Sequence, residues 1–483
     1  MTAQDAPQAP KLYATAEPIF PKKISGKFRH LKWIIMAITL GIYYITPWIR
    51  WDRGPNLPDQ AVLIDLAHRR FYFFWIEIWS HEFYFVAGLL IMAGLGLFLF
   101  TSALGRVWCG YACPQTVWTD LFFAVERWIE GDRNARIRLY RDKWNLHKWR
   151  LRLTKWTAWL LIGAATGGAW VFYFADAPTL FVDLFTGQAA FMAYGWVGAL
   201  TLTTFVLGGF TREQVCIYMC PWPRIQAAMM DPDTLTVAYR DWRGEPRMRG
   251  KKRKTQAEVG DCIDCNACVS VCPVGIDIRD GQQLECITCA LCIDACDEMM
   301  DKIGAPRGLI DYCTLNDEPR ERAGEKPIPA WRHIVRVRTV LYFTLWALIG
   351  IGMIVALFIR SDIEMTVSPI RNPIFITMSD GTIRNAYELR LRNKAAEHRD
   401  YRVYVVGEEP FGVTVAGQEG LIVEVPANET RIQRVFVEAP GDSRAAAGHL
   451  TNLYLWIEDV DSGRSYDVKT VFNGRDDDGR HGP

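Results

Sequence analysis

Five apolar runs constrain this chain more than anything else in it. They cover Leu31–Trp48, Phe83–Leu104, Trp156–Phe174, Ala189–Phe210 and Val340–Ile359. About 20 helical residues cross a bilayer core, so each run is predicted to span, the first one narrowly. Trp33, Trp48, Trp156, Trp159 and Tyr173 sit near run ends, as an interfacial aromatic belt would require. The first thirty residues are polar, with Lys22, Lys23, Lys27 and Arg29 just before the first run. No small-residue cleavage site follows a short apolar core there, so the first run reads as a retained span, not a signal peptide.

Lys and Arg set the expected orientation. The tail before the first run is basic. The segment Gly105–Lys155 carries Arg133, Arg136, Arg138, Arg141, Lys143, Lys148, Arg150 and Arg152, and RMRGKKRK follows the fourth run. The connection Asp176–Gln188 has no Lys or Arg, and Arg50–His81 has four. The N-terminus and the cysteine-bearing segments are therefore expected inside, and everything after Arg360 outside. RMRGKKRK, between a span and a cysteine module, reads as a solvated, lipid-facing charge run, and no nucleic-acid partner is expected. Asn56–His81 mixes aromatic residues with charges and is expected to be interfacial or partly re-entrant.

The 13 cysteines in 483 residues are not spread as a secreted disulfide scaffold would spread them. Eight crowd into two matched motifs. Cys262-x2-Cys265-x2-Cys268-x3-Cys272-Pro273 is followed by Cys286-x2-Cys289-x2-Cys292-x3-Cys296. Three thiolates from a tight loop and a fourth from the other motif surround a 4Fe–4S cluster in two-cluster ferredoxins. One cluster is assigned to Cys262, Cys265, Cys268 and Cys296, the second to Cys286, Cys289, Cys292 and Cys272. Zinc sites and structural thiols are weaker readings of a duplicated pattern of eight. Asp297 stands where the second motif would have its proline, which is expected to loosen the turn after Cys296. Cys313 is in register with neither motif and reads as a buried thiol.

Four more cysteines form two copies of Cys-x-Tyr-x-Cys-Pro, Cys109 with Cys113 and Cys216 with Cys220. A four-residue spacing puts both sulfurs of a pair on one face of a helix. Pro114 and Pro221 favour a break at the second cysteine. If the second and fourth runs are neighbours, four thiols meet at one depth. Arg106 and Arg212 precede the pairs and are expected to favour thiolate. The four could be a structural repeat, ligands for a soft metal such as Cu(I), or a dithiol redox couple. Two matched copies beside a ferredoxin module favour function over the structural reading. His81 and Glu82 read as an interfacial anchor before a metal or quinone contact. No phosphate-binding glycine loop, dinucleotide fingerprint or c-type haem motif is present.

After the fifth run the texture changes. ELRLRN, YRVYVV, LIVEV, RVFVEA and LYLWIEDV alternate apolar and polar residues between turn signals. That pattern predicts an antiparallel sandwich of about 110 residues. The expected fold is a multi-domain membrane protein: a five-helix transmembrane bundle, a two-cluster ferredoxin-like α+β module and a C-terminal all-β immunoglobulin-like sandwich. The expected boundaries are a tail at 1–30, four spans with both thiol pairs at 31–230, the ferredoxin-type module at 231–330, the fifth span at 338–360 and the sandwich at 361–483.

Together, the spans, the Cys-x3-Cys-Pro pairs, the cluster motifs CIDCNACVSVCPVGIDIR and CIDACDEMM, and the sandwich resemble the CcoG/FixG/RdxA family of cytochrome c oxidase accessory proteins over nearly the whole chain. The cluster motifs alone occur in many ferredoxins, and the Cys-x3-Cys-Pro pairs also resemble the NapH and NosR group. The resemblance implies a bacterial inner-membrane cupric reductase that supplies Cu(I) for assembly of cbb-type cytochrome oxidase. It implies two 4Fe–4S clusters as cofactors, copper as substrate and oxidase assembly factors as partners. It also implies Cys109, Cys113, Cys216 and Cys220 as the reactive, copper-binding thiols. The electron donor stays open. A quinol-linked relay to a periplasmic reductase and a non-enzymatic assembly scaffold are the alternatives.

Overall fold

The computed structural model describes residues 18–54, 57–249, 259–360, 363–395, 397–427 and 429–475. RMRGKKRK lies outside the described residues from Gly250 onward, and so does the side chain of His81. The chain forms two compact units, Met1–Arg50 with Gln60–Met353, and Trp51–Asp59 with Ile354–Pro483. The first four apolar runs and the cysteine-rich segment fall in the same unit.

Four helices among the described residues are long and apolar enough to cross a membrane: Lys27–Trp48, Tyr84–Leu104, Phe191–Thr211 and Val337–Ile359. The remaining apolar run lies on the helix Leu146–Val171, which is 26 residues long. Its first turns carry Lys148, Arg150, Arg152 and Lys155, and threonines and glycines dilute the rest. It is therefore not among the four.

The stretch expected to be interfacial or partly re-entrant contains an antiparallel meander of Val62–Asp65, Arg70–Phe73 and Ile76–Trp79. Its β-branched and aromatic residues favour strand, and Arg69 and Phe74 make the tight reversals with φ of 57° and 51°. Gln60, fully buried, holds the meander to the end of Leu146–Val171 and to the next helix. Its amide donates to Phe172 O at 2.6 Å and accepts from Ala177 N at 2.9 Å.

The long polar connection between the second and third apolar runs organises around one carboxylate. Glu126, on the helix Pro114–Glu130, receives Lys155 Nζ at 3.2 Å, Arg212 Nη2 at 2.5 Å and Arg136. Burial works to raise the Glu126 carboxyl, but Arg212, Arg136 and Lys155 hold it below its usual range. Removing the carboxylate leaves buried cations uncompensated, which typically costs about 3–5 kcal/mol. Glu126→Ala is expected to destabilise the detergent-solubilised protein by that order in thermal unfolding. Because the folded-state pKa is depressed, the contribution is fully present above about pH 4.5 and is lost as pH falls through the folded value. The difference between wild type and variant should shrink in acid.

The cysteine-rich part is built on a two-stranded sheet, Thr236–Tyr239 with Ile310–Cys313, and on the helices Ala267–Val271 and Leu291–Ile303. Its attachment to the first span is a helix cap made across the sequence. Asp294 accepts from Phe28 N at 3.3 Å and from Arg29 N at 2.8 Å. Free N–H groups at a helix start favour such a carboxylate.

The second unit is a two-sheet sandwich. One sheet runs Gly412–Val415, Thr430–Ala439, Ile383–Asn393 and Ile363–Pro369, with Ile376–Thr377 also on Ile383–Asn393. The other runs Ile422–Val425, Arg399–Gly407, Leu450–Asp459 and Ser465–Asn473. Burial alternates along Ile383–Asn393 as a half-buried strand demands. Tyr387, Leu389, Tyr401, Val403, Leu455 and Phe472 are among the fully enclosed core residues.

Candidate iron–sulfur and thiol site

The two cysteine loops share a backbone as well as a spacing. Asp264 and Asn266 in the first have φ of 50° and 55°; Thr288 and Ala290 at the matching positions of the second have 53° and 59°. Left-handed geometry is uncommon outside glycine and strained for a β-branched residue such as Thr288. Repeated at matching places, it curls both loops into the same backbone cradle. The donor set fits an iron–sulfur cluster: each group has four thiols, and the carboxylates within the motifs are engaged elsewhere, Asp264 by Arg279 and Asp294 by Phe28 N and Arg29 N.

The thiols also fall into two electrostatic groups. Cys296 is pushed up to about 12 by burial and then by Cys268, Cys262 and Cys265. Cys292 is raised well above its usual value by burial and then by Cys289, Cys286, Cys272 and Cys268. Cys272 rises to about 12, again through burial first and then Cys289. Without a cation to compensate, these buried sulfurs stay protonated; a bound metal reverses that balance. Among the described residues, no group of three or more His, Cys, Asp or Glu side chains closes tightly enough to hold a single metal ion.

The expected loosened turn after Cys296 does not exist. Cys272 ends its helix before Pro273. Lacking that proline, the second helix runs on through Cys296 and Asp297 to Ile303. Asp297 accepts from Gly308 N at 3.0 Å and so fixes the following chain. Cys313 is buried on the strand Ile310–Cys313, facing Thr236 across the pair.

The Cys-x-Tyr-x-Cys-Pro pairs do not form one helical face each. Cys109 lies in the short helix Val107–Tyr111, and Cys113 is already extended, with ψ of 128°, before the helix that Pro114 starts. Cys216 lies in the wide turn Val215–Met219, and Cys220 is extended, with ψ of 125°, before Pro221. The break at the second cysteine is the one proline imposes. The thiols nevertheless share an environment. Burial pushes Cys216 up to about 12, and Cys113, Cys109 and Cys220 add to the shift. Cys109 is raised too, chiefly by burial and against the pull of Arg106.

Of the two arginines expected to favour thiolate, Arg106 does face the sulfurs, lowering Cys109, Cys216 and Cys286 together. Arg212 does not; it is held by Glu126 and Gly209 O. In both thiols whose shift is resolved, burial outweighs the cation.

Three further residues complete the site, Gln226 from outside the motifs and Tyr111 and Gly110 from within one. Gln226, fully buried, accepts from Cys109 Sγ at 3.0 Å and donates to Thr101 Oγ1 at 3.3 Å. Tyr111, between the first two thiols, donates to Cys289 O at 3.1 Å. Gly110 lies against the second cysteine loop. A Cβ there would stand 2.6 Å from Ile287 O and 3.0 Å from Cys289 Cα. Cys109 and Ile217 also border the apolar cluster that contains Val271, Ile287 and Cys289. The first thiol pair thus meets one cysteine cradle through close backbone approach, and Ile217 of the second pair packs against the same cluster.

Comparison with known proteins follows the same division. Residues 211–315 match the family described as a 4Fe-4S dicluster domain, and residues 85–136 a 4Fe-4S binding domain. Residues 353–475 match the IG-like fold at the C-terminal of FixG. Protein RdxB of Cereibacter sphaeroides is 65% identical over 476 residues, covering 98% of this chain and 100% of the relative. Protein RdxA of the same organism is 61% identical, with 96% and 98% covered. The nitrogen fixation protein FixG of Rhizobium meliloti is 54% identical, with 89% and 88% covered. Matched cysteine cradles, apolar helices of spanning length and a C-terminal sandwich, at this identity and coverage, establish that the chain belongs to the FixG/RdxA/RdxB family of iron–sulfur electron-transfer proteins.

Proposed function

We propose that this chain reduces Cu(II) to Cu(I) at the thiols of Cys109, Cys113, Cys216 and Cys220, for the assembly of a cbb-type cytochrome oxidase. The observation that carries the reading is the contact of Gly110 with the Cys289 loop, which places a soft-metal donor set directly beside an iron–sulfur cradle. Cys262, Cys265, Cys268 and Cys296 would hold one 4Fe–4S cluster, and Cys286, Cys289, Cys292 and Cys272 the other. When bound, such clusters supply electrons one at a time, and Cu(II) needs one. The thiols prefer the soft product to hard cations. Arg106 steadies negative charge between the thiols and Cys286. Gln226 orients Cys109, and Tyr111 and Gly110 hold the thiol helix to the cradle.

The reading places the protein in a bacterial cytoplasmic membrane with five spans. Leu146–Val171 counts as the third of these because Gly163 and Gly167, four residues apart, approach Thr201 O and Val197 O of the span Phe191–Thr211. Small residues at that spacing let membrane helices meet closely. Lys and Arg place the thiols inside and the sandwich outside, facing oxidase assembly factors.

The test is anaerobic. The iron-loaded protein is reduced in detergent, freed of reductant and given one equivalent of Cu(II). The Cu(II) EPR signal should vanish as the reduced-cluster signal falls. Cu(II) persisting beside reduced protein would refute the assignment.

A further inference from the structure

The thiol site has a second side. A cavity of about 470 Å³ opens against Cys109, Cys113 and Cys220 from between the spans Tyr84–Leu104 and Val337–Ile359. Its wall includes Met92, Leu97 and Phe100 of one span, Trp346 of the other, and Trp108 and Trp222 at the thiol end. No charged side chain lines it. Cys216 faces elsewhere, into a small pocket with Gln115, Asp120, Arg212 and Glu213. The thiols therefore sit between a polar approach and an apolar one.

We infer that the apolar cavity binds the headgroup of a membrane quinol, which restores the electrons that the clusters deliver to copper at the thiol site; the inference rests on the copper reading above. Three features on the page select this occupant over a lipid tail. The cavity combines three indoles and a phenyl ring, flat surfaces suited to a flat ring. Trp346 places an indole N–H beside Gly96, about 14 Å into its span at 1.5 Å per residue, and among the described residues no acceptor takes it. An N–H at that depth without a partner is costly in hydrocarbon and marks a functional position. A quinol oxygen or quinone carbonyl satisfies it, and an acyl chain does not. Third, the cavity ends on the groups that need electrons.

The chemistry balances. One quinol breaks two O–H bonds and gives up two electrons and two protons, becoming quinone. Two Cu(II) ions each take one electron to become Cu(I), in succession. Both protons pass to water at the thiol end of the span. No further oxidant or reductant is needed.

The experiment uses the full-length, iron-loaded protein in detergent, an azidoquinone photolabel, and decylubiquinol as competitor, with peptide mapping as the readout. Label that decylubiquinol displaces is expected on the peptides around Phe100–Cys113 and Trp346. Gly96→Leu fills the cavity beside Trp346, and Ala93→Phe fills it one turn away. Each should cut the displaceable label at least tenfold with iron content unchanged. Displaceable label absent from these peptides, or unchanged in both variants, overturns the proposal and leaves an acyl-chain cavity. A failure of the copper reading is separable. Wild-type protein that shows displaceable label here, yet leaves Cu(II) unreduced after pre-reduction, keeps the quinol site and loses copper as its acceptor.

Discussion

Replacing Cys109 and Cys216 together by Ser should abolish Cu(II) reduction while the iron content stays at the wild-type level. Together the substitutions remove one sulfur from each pair, and hydroxyl oxygen is a poor ligand for Cu(I). The single variants should fall between, because each keeps three of the four sulfurs, including one intact pair. Iron is unaffected because neither residue belongs to the two cradles, whose eight cysteines form their own electrostatic groups. The measurement is the Cu(II) EPR amplitude after one turnover, alongside iron and sulfide analysis of the same sample. Full reduction in the double variant would show that copper is met elsewhere. Loss of iron along with activity would show that the four thiols support the clusters and not a substrate.

The second large effect concerns a residue with no chemistry of its own. Gly110→Val puts side-chain atoms where Ile287 O and Cys289 already stand, at 2.6 Å and 3.0 Å from the first added carbon. Neither neighbour is a flexible chain end; both are backbone, so the thiol helix and the cradle must separate. A displacement of about 1 Å at a positioned site costs on the order of 100-fold in rate, and a drop of that order is expected in single-turnover copper reduction per bound iron. Gly94→Val is the control, because a Cβ at Gly94 meets nothing within 4 Å; it should leave the rate within a few-fold. Equal rates in both variants would remove the Gly110 contact from the mechanism.

What the sequence made readable was local. Cysteine spacing carried the donor sets, four of the five apolar runs marked helices long and apolar enough to cross a membrane, and period-two alternation marked the sandwich. What it hid was tertiary. Arg212 stands before its thiol pair as Arg106 does, but its partner is Glu126, 86 residues away, and no local rule reveals that. The strands from Val62 to Trp79 were hidden by mixed aromatics and charges, and the reversals at Arg69 and Phe74 use left-handed geometry at residues that do not advertise it. The missing proline after Cys296 read as a looser turn, whereas its physical effect is a longer helix. Gln226 is one glutamine among others until folding brings it to Cys109. Gly110 lies inside a motif, yet its importance is the absence of a side chain, which only the neighbouring loop makes visible.

The cap that Asp294 places on the first span has a consequence for biogenesis. The span leaves the ribosome first, but the carboxylate that completes its start lies 265 residues later and between two cysteines of the second motif. Until that motif has been made and wound into helix, Phe28 and Arg29 present unsatisfied N–H groups at the membrane surface. Completion of that helix start therefore waits on the second cysteine motif, so the beginning of the first long helix and the cysteine-rich segment mature together.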